Sequence, residues 1–79
     1  MDNTDKTIEK IINELSEIIS VDPDELNFHT PLTAEYGVEP IDLAKLVIEC
    51  ERKFRVKIFD EDVHELLNVE DLALYIERR

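Results

Sequence analysis

The sequence predicts an all-α domain, a small bundle of three longer helices and one short helix, with a long loop after the first helix. Apolar residues recur every three or four positions in separate segments, and proline or glycine falls between the first two of them. A chain of 79 residues has room for a single domain, residues 1–79. Because it contains one cysteine and two histidines, it offers neither a disulfide nor four zinc ligands.

The first helix is predicted from an amphipathic repeat. Asn3 or Thr4 is expected to cap it, because both side chains accept hydrogen bonds from free amides. Asp22–Pro23 is expected to stop it, since proline forces the preceding residue out of the helical region. The apolar face consists of Ile8, Ile11, Ile12, Leu15, Ile18 and Ile19.

Residues 22–37 are predicted to form a long loop that contains two prolines and the only glycine. Loops of about 15 residues without structure of their own are uncommon in compact domains and often functional. We therefore expect a short helical turn at Pro23–Leu26. Leu26, Phe28 and Leu32 are expected to anchor the loop to the core.

The second helix is predicted to begin at Pro40, because the first helical position does not need the N–H that proline lacks. It ends near Lys53–Arg55, whose charges suit the negative end of the helix dipole. One apolar line packs the core, and a second line beside it is either further core or an exposed strip for a partner. The first line is Leu43, Val47, Cys50 and Phe54, broadened by Leu46; the second is Ile41, Ala44 and Ile48.

The last third predicts an extended link and two more helices. Val56–Ile58 alternates as a short strand-like link, and Asp60–Asp62 opens a short helix over Val63, Leu66 and Leu67. Asn68 is expected to cap the last helix, with Asp71 in the role of the capping-box acid. The inward face of that helix is Leu72, Tyr75 and Ile76, with Val69 at its entry.

The net charge of −11 excludes nucleic acid as a partner, because phosphates would be repelled. It favours partners with basic patches or, equally, serves only to keep the protein a monomer. Residues 1–35 contain nine acids and two bases, residues 36–59 four acids and five bases, and residues 60–79 seven acids and two bases. The middle third is therefore nearly neutral between two acidic thirds.

Other features point to a cytoplasmic protein that is not an enzyme. No apolar run approaches the roughly 20 residues that span a bilayer, and the acidic N-terminus is unlike a secretory signal. Cys50 lies on the core line and is expected to be buried and inert, while His29 and His64 have no nucleophile at a plausible spacing. The acidic clusters lack the spacing of a calcium loop, so no metal site is predicted.

Four segments, in the right order and spacing, resemble the acyl carrier protein family. Residues 35–42, Glu-Tyr-Gly-Val-Glu-Pro-Ile-Asp, are similar to its D-L-G-x-D-S-L-D motif, and residues 46–54 are similar to the helix that continues it. Residues 56–62 resemble the link into its third helix, and residues 68–76 resemble its T-V-x-D-L-x-x-Y-I ending. The resemblance covers nearly the whole chain and implies the family's four-helix bundle.

In that family the serine of the motif is esterified to 4′-phosphopantetheine, whose thiol carries the acyl chain. Pro40 stands at this position, and a proline has no hydroxyl with which to form the ester. Ser16, Ser20, Thr30 and Thr33 lie on the first helix or in the loop, away from the place that a modifying transferase reads. The resemblance therefore implies that this chain carries no 4′-phosphopantetheine.

A second departure concerns the charge of the second helix. In the family this helix is strongly acidic and docks on basic patches of its enzymes, whereas residues 36–59 of this chain are nearly neutral. Our leading hypothesis is a non-carrying interaction domain related to fatty-acid or polyketide synthesis, which binds a protein partner through the start and outer face of the second helix. The alternatives are a genuine acyl carrier in lipid or polyketide biosynthesis and a bundle that binds a free lipid. The expected partner-binding residues are Glu39, Ile41, Asp42, Lys45, Ile48 and Arg52.

Overall fold

The computed structural model describes residues 3–78 and confirms the all-α class, with three longer helices and one short one. α1 packs against both α2 and α4, so it forms one wall that the later helices share. Two single-turn 3₁₀ helices, at Pro23–Glu25 and Ala34–Tyr36, divide the long loop, and the first of them was predicted. The helices are α1 (Asn3–Ile19), α2 (Pro40–Phe54), α3 (Asp60–Val63) and α4 (Val69–Glu77).

The buried core is aliphatic, as the composition predicts, and every helix except the four-residue α3 contributes to it. Each large side chain that is fully removed from water stabilises the fold by about 1.5–3 kcal/mol. The buried apolar residues are Ile11, Leu15, Leu32, Val38, Leu46, Val47, Cys50, Ile58, Leu66, Val69, Leu72, Ala73 and Ile76.

The end of α1 differs from the prediction. The helix stops at Ile19, because Ser20 turns into the left-handed region with a φ of 58°. The Val21 N–H then donates to the Ser16 carbonyl at 3.0 Å, which satisfies one of the last free carbonyls of the helix. Asp22 does not end α1 but caps the first 3₁₀ turn, because its carboxylate accepts a hydrogen bond from the Asp24 N–H at 2.9 Å.

The predicted cap of α1 at Asn3 or Thr4 is wrong, because both residues lie within the helix. The Thr4 hydroxyl instead donates to Glu77 Oε1 at 2.6 Å, and the Thr7 hydroxyl lies 3.2 Å from Glu77 Oε2. These bonds join the first turns of α1 to the end of α4.

The long loop is anchored by fewer side chains than predicted. Leu32 is buried and Leu26 packs against the core, but Phe28 is 43 % exposed and lies against the ring of His29. The backbone supplies the missing attachment. Residues 28–32 pair with residues 67–70 through three hydrogen bonds, an arrangement we call the clasp. They are Leu32 N–H to Leu67 O at 2.9 Å, Val69 N–H to Thr30 O at 3.1 Å and Glu70 N–H to Phe28 O at 3.0 Å.

The capping of α4 follows the prediction with a shift of one residue. Asn68 Oδ1 accepts from the Asp71 N–H at 2.8 Å, as an N-cap should. The Asp71 carboxylate accepts from the N–H of Leu67 at 3.1 Å, one residue before the cap. The short helix is shorter than predicted, because α3 ends at Val63 and both Leu66 and Leu67 lie beyond it. Leu66 is buried, whereas Leu67 is 59 % exposed.

Tyr75 holds α3 against α4 through its hydroxyl. The hydroxyl donates to Asp62 Oδ2 at 2.6 Å and accepts from the Phe59 N–H at 3.3 Å. A helix of four residues has little stability of its own. Its position therefore depends on this hydroxyl and on the packing of Val63 against the core.

Candidate functional site

The start of α2 is an exposed corner made by the turn before it. Gly37 has a φ of 94°, a conformation that glycine adopts without steric cost, and Val38 is buried and pins the turn. The Glu39 N–H then donates to Asp42 Oδ2 at 3.1 Å, which caps the helix. Pro40 is the first helical residue and its ring is exposed.

Attachment of phosphopantetheine requires a hydroxyl at this corner, and the side chains from Glu39 to Asp42 provide none. Two of the hydroxyls named from the sequence are buried. Ser16 donates to the Asn13 carbonyl at 2.9 Å, and the Thr33 hydroxyl makes no hydrogen bond among the described residues. Thr30 accepts from the Asn27 N–H at 2.8 Å, and Ser20 is exposed at the end of α1. The residues at the start of α2 therefore do not fit the prosthetic group.

The outer face of α2 carries an exposed apolar strip, which we define as Ile41, Ala44 and Ile48. Ile41 is 65 % exposed and Ile48 is 54 % exposed, and Ala44 between them is also exposed. Residues seven positions apart lie about 10 Å apart along a helix. The second apolar line of α2, left open by the sequence, is thus surface and not core.

The face of α2 that packs on the core is rotated slightly about the helix axis from the predicted face. Leu46, Val47 and Cys50 are buried, whereas Leu43 and Phe54 are half-buried at its edges. This rotation places Leu43 at the border between the core and the space beside α3. It also turns Ala44 and Ile48 toward that space.

A largely apolar cavity of about 430 Å³ opens between α2 and the segment that leads into α3. Its mouth adjoins the strip, because Ala44 and Ile48 belong to both. On the rim, Glu51 Oε2 accepts from the Ile58 N–H at 2.8 Å and lies 3.8 Å from Lys57 Nζ. The lining residues are Pro40, Leu43, Ala44, Val47, Ile48, Glu51, Lys57, Ile58, Asp60 and Val63.

The opposite side of α2 is occupied by charge pairs. Lys53 Nζ lies 3.2 Å from Glu14 Oε1 on α1. Lys45 lines a polar groove together with Glu14, Glu17 and Glu49. Two of the bases that make α2 nearly neutral, Lys53 and Lys45, thus lie beside carboxylates of α1.

The six predicted partner-binding residues therefore do not form one uniform patch. Ile41 and Ile48 are together on the strip, and Glu39 is exposed at the start of the helix. Asp42 is half-buried and caps α2, while Lys45 faces the groove shared with α1. Arg52 is exposed and lies 3.3 Å from Glu49 Oε2 on its own helix.

Sequence reasoning missed the residues of the cavity that come from beyond α2. Ile58 is buried and Lys57 exposed, which is the alternation that the link at residues 56–58 shows in the sequence. That alternation predicts an inward Ile58, but it does not reveal that Ile58, Asp60 and Val63 form the far wall of a cavity with α2. Only the packing of α3 places them there.

Cys50 is buried between α1 and α2, as predicted. Burial raises the pKa of its thiol to about 12, and the negative charge of Glu14 acts in the same direction. Such a thiol stays protonated and unreactive at neutral pH. Within residues 3–78, no three metal-binding side chains form a group suited to an ion, and no helix is long and apolar enough to cross a membrane.

Residues 9–76 match the model of the phosphopantetheine attachment site family, which covers most of the chain. The chain belongs to the acyl carrier protein family. Among its relatives is an acyl carrier protein of Bdellovibrio bacteriovorus that is 31 % identical over 70 residues, covering 89 % of this chain and 90 % of that protein. An acyl carrier protein of Campylobacter lari is 36 % identical over 61 residues, covering 77 % of this chain and 79 % of that protein.

An acyl carrier protein of Campylobacter jejuni subsp. doylei is 28 % identical over 71 residues, covering 90 % of this chain and 92 % of that protein. The family and the fold inferred from the four sequence segments are therefore confirmed. In this member the exposed start of α2 offers a proline ring and no hydroxyl.

Proposed function

We propose that this acyl carrier protein family member carries no acyl group and acts as an interaction domain for a protein of fatty-acid or polyketide synthesis. The observation that supports the proposal is Pro40 at the exposed start of α2. The corner is built as the family's fold requires, yet it has nothing to esterify. The domain would bind and position other proteins without taking part in chemistry itself.

The local structure at the start of α2 supports the view that Pro40 is compatible with a stable fold and is not a damaging substitution. Proline is favoured at the first helical position, and its fixed φ suits the helix. The cap from Asp42 to the Glu39 N–H is intact at 3.1 Å. The fold therefore loses nothing by having Pro40 there.

The docking surface in this proposal is the strip with its neighbours. Ile41 and Ile48 supply apolar area that a partner removes from water, at about 25 cal/mol per Å². Glu39 at the start of the helix and Arg52 near its end would orient the partner by charge. Asp42 supports the corner by capping α2, and Lys45 borders the strip on the side of α1.

Coenzyme A labelling tests the loss of carrier function. The native chain is incubated with coenzyme A and a phosphopantetheinyl transferase, and the product is analysed by mass spectrometry. We expect no mass gain for the native chain, and a gain that maps to any residue would end the proposal. Pro40→Ser is the companion variant: modification of its serine would show that the transferase still recognises the rest of the surface.

Partner capture tests the interaction surface. Ile41→Asp and Ile48→Asp place charges on the strip, and both are expected to abolish capture of the partner that the native chain retains. Leu67→Asp is the matched control, because Leu67 is 59 % exposed but lies outside α2. Undiminished capture by folded Ile41→Asp and Ile48→Asp chains would rule out the strip as the docking surface.

A genuine carrier is the second candidate, and the names of the relatives favour it, since all three are acyl carrier proteins. It requires attachment at a residue other than Pro40. Ser20 is the exposed serine, but it lies at the end of α1 in a left-handed turn. The same labelling experiment, followed by peptide mapping, decides between the two candidates.

Binding of a free lipid is the third candidate, and the cavity beside α2 is the observation that favours it. Such a ligand would have no covalent tether, so only burial of its chain would hold it. Titration of the isotope-labelled protein with a fatty acid, followed by NMR, tests this candidate. Saturable shifts of the cavity-lining residues would support it.

A further inference from the structure

Lysine and arginine are unevenly distributed along this acidic chain. Residues 11–44 contain eight acids and no base, and residues 60–77 contain seven acids and no base. All nine bases therefore lie in three short stretches, residues 6–10, 45–57 and 78–79. These stretches are far apart in sequence, and the fold determines whether their charges act together.

The antiparallel packing of α1 against α2 and α4 brings most of the bases to one end of the bundle. Thr4 at the start of α1 bonds to Glu77 at the end of α4. Lys10 Nζ lies 5.8 Å from the centre of the Phe54 ring at the end of α2. The start of α1 thus adjoins the ends of the other two long helices. The exposed bases in these segments are Lys6, Lys10, Lys53, Arg55, Lys57 and Arg78.

Three of these bases form a surface that we call the basic band, defined as Lys10, Arg55 and Lys57. Arg55 ends α2 in the left-handed region with a φ of 56°, and its side chain is exposed. Val56 then packs against the core, so Lys57 returns to the surface and is 71 % exposed. Lys10 joins the band from α1, because its ammonium lies over the half-buried ring of Phe54.

The nearby carboxylates leave the basic band with positive charge to spare. Glu77 accepts hydrogen bonds from two threonine hydroxyls of α1. Glu51 lies 3.8 Å from Lys57, but the same carboxylate oxygen accepts from a backbone N–H at 2.8 Å. Within residues 3–78, neither Lys10 nor Arg55 forms an ion pair with a carboxylate. Two of the three charges are therefore available to a partner.

We propose that the basic band binds an acidic segment of a protein partner through its Asp and Glu side chains. The guanidinium of Arg55 can hold one carboxylate through two parallel N–H bonds, and Lys10 and Lys57 attract further carboxylates as compact charges. The fifteen residues of α2 separate the band from the acidic start of that helix by about 20 Å. This distance exceeds the screening length of about 8–10 Å, so the acids there repel the segment only weakly.

The acids at the same end of the bundle favour a chain segment over a lipid surface. Asp5 and Glu9 are exposed in the first turns of α1. An anionic bilayer would bring its phosphates against these carboxylates as well as against the band, and it would also meet the net charge of −11. A segment of chain needs to contact the band alone. The inference goes beyond the proposed function, because it concerns the opposite end of α2 and holds for a carrier and a non-carrier alike.

NMR titration of the isotope-labelled full chain tests the basic band. The probe is a synthetic peptide in which glutamate alternates with serine, and the control peptide has glutamine in place of glutamate. We expect only the glutamate peptide to cause saturable shifts in the amide signals of Lys10, Phe54, Arg55 and Lys57. These shifts should fade as salt is added, because ions screen exposed charges.

Matched charge variants locate the binding. Arg55→Gln and Lys10→Gln each remove one charge from the band and should weaken binding of the glutamate peptide about two- to fivefold at low salt. Lys45→Gln is the control, because it removes the same charge from α2 but Lys45 lies in the acidic groove shared with α1. Its affinity for the peptide should equal that of the native chain. All three residues are exposed, so each variant is expected to fold, and its spectrum verifies this.

Three results would overturn the inference. They are the absence of saturable shifts at the band, equal weakening by Arg55→Gln and Lys45→Gln, and tighter Arg55-dependent binding to phosphatidylglycerol vesicles than to the glutamate peptide. The first would show that the band binds no acidic segment, the second that only the net charge matters, and the third that its ligand is a lipid surface. Coenzyme A labelling bears on none of these results, because Pro40 lies at the other end of α2.

Discussion

The two sides of the fifteen-residue helix α2 differ in how far the rest of the molecule covers them. Toward α1, Lys53 pairs with Glu14, Cys50 is buried, and the long helix α1 covers the interface. Toward α3, a four-residue helix faces an apolar cavity, and the exposed strip borders its mouth. One side is closed within the molecule, and the other is open to solvent.

This difference shows how unevenly stability is distributed in a small domain. The closed side relies on burial by a helix of 17 residues, while the open side relies on α3 and the hydroxyl of Tyr75. Short elements with few buried contacts open at low free-energy cost. The α3 side is therefore expected to be the more deformable one.

The largest expected effect contrasts buried residues of the two sides. Leu15→Ala on α1 removes a fully buried side chain and should lower the free energy of unfolding by about 2–5 kcal/mol. Val63→Ala on α3 removes a half-buried one and should cost about 1 kcal/mol. Urea denaturation measures both values. Equal losses would show that the two sides are equally important for stability.

The next effect isolates the hold of α4 on α3. Tyr75→Phe removes the hydroxyl that bonds Asp62 and the Phe59 N–H, and the loss is expected to be about 1–2 kcal/mol. Amide hydrogen exchange should accelerate at Asp62 and Leu66 and remain unchanged in the middle of α1. Acceleration throughout the chain would mean that α3 opens only with the whole fold.

The buried thiol of Cys50 makes the free energy of unfolding depend on pH in the alkaline range. The pKa of Cys50 is raised to about 12 in the folded protein, so this thiol keeps its proton after the unfolded chain has lost it. Its contribution to stability is complete below the unfolded pKa of about 8.5 and falls above it, by about 1.4 kcal/mol per pH unit, until the folded pKa is reached. Cys50→Ala should lack this component when unfolding is followed between neutral and alkaline pH. A thiol reagent that labels the native chain readily near pH 8 would contradict the assignment.

The smallest effect compares the ion pairs on the two sides. Lys53→Gln breaks the 3.2 Å pair with Glu14, and Lys57→Gln breaks the 3.8 Å pair with Glu51. Each variant loses one positive charge, so the change in overall repulsion is matched. We expect Lys53→Gln to cost up to about 1 kcal/mol at low salt and Lys57→Gln less, because Lys57 is 71 % exposed. The difference should shrink as salt is added, and thermal unfolding at two ionic strengths measures it.

Much of the fold was predictable because its signals are local. The spacing of apolar residues identified α1 and α2, Pro40 marked the start of α2, and Asn68 marked the cap of α4. The end of α1 was not predictable in the same way, since a serine in the left-handed region has no sequence signature comparable to glycine. Phe28 was misplaced because the backbone, rather than its ring, anchors the loop.

The candidate site was only partly predictable, because its properties depend on contacts between distant segments. Periodicity grouped Ile41 with Ile48, but it could not decide whether a neighbouring element covers them. The charges of α2 were visible in sequence, whereas the pairing of Lys53 with Glu14 across two helices was not. The cavity depends on where a helix of four residues settles, and the local sequence pattern does not encode this.

The clasp between the long loop and the start of α4 has a consequence for how the chain is made. Its hydrogen bonds join residues 28–32 to residues 67–70, so these bonds cannot form until most of the sequence exists. Bringing such distant segments together carries an entropic cost that local helix formation does not. During synthesis, the segments of α1 and α2 are made first, and the last of the three bonds has to wait for Glu70 to be added to the chain. The chain thus acquires its final form only as its last helix appears.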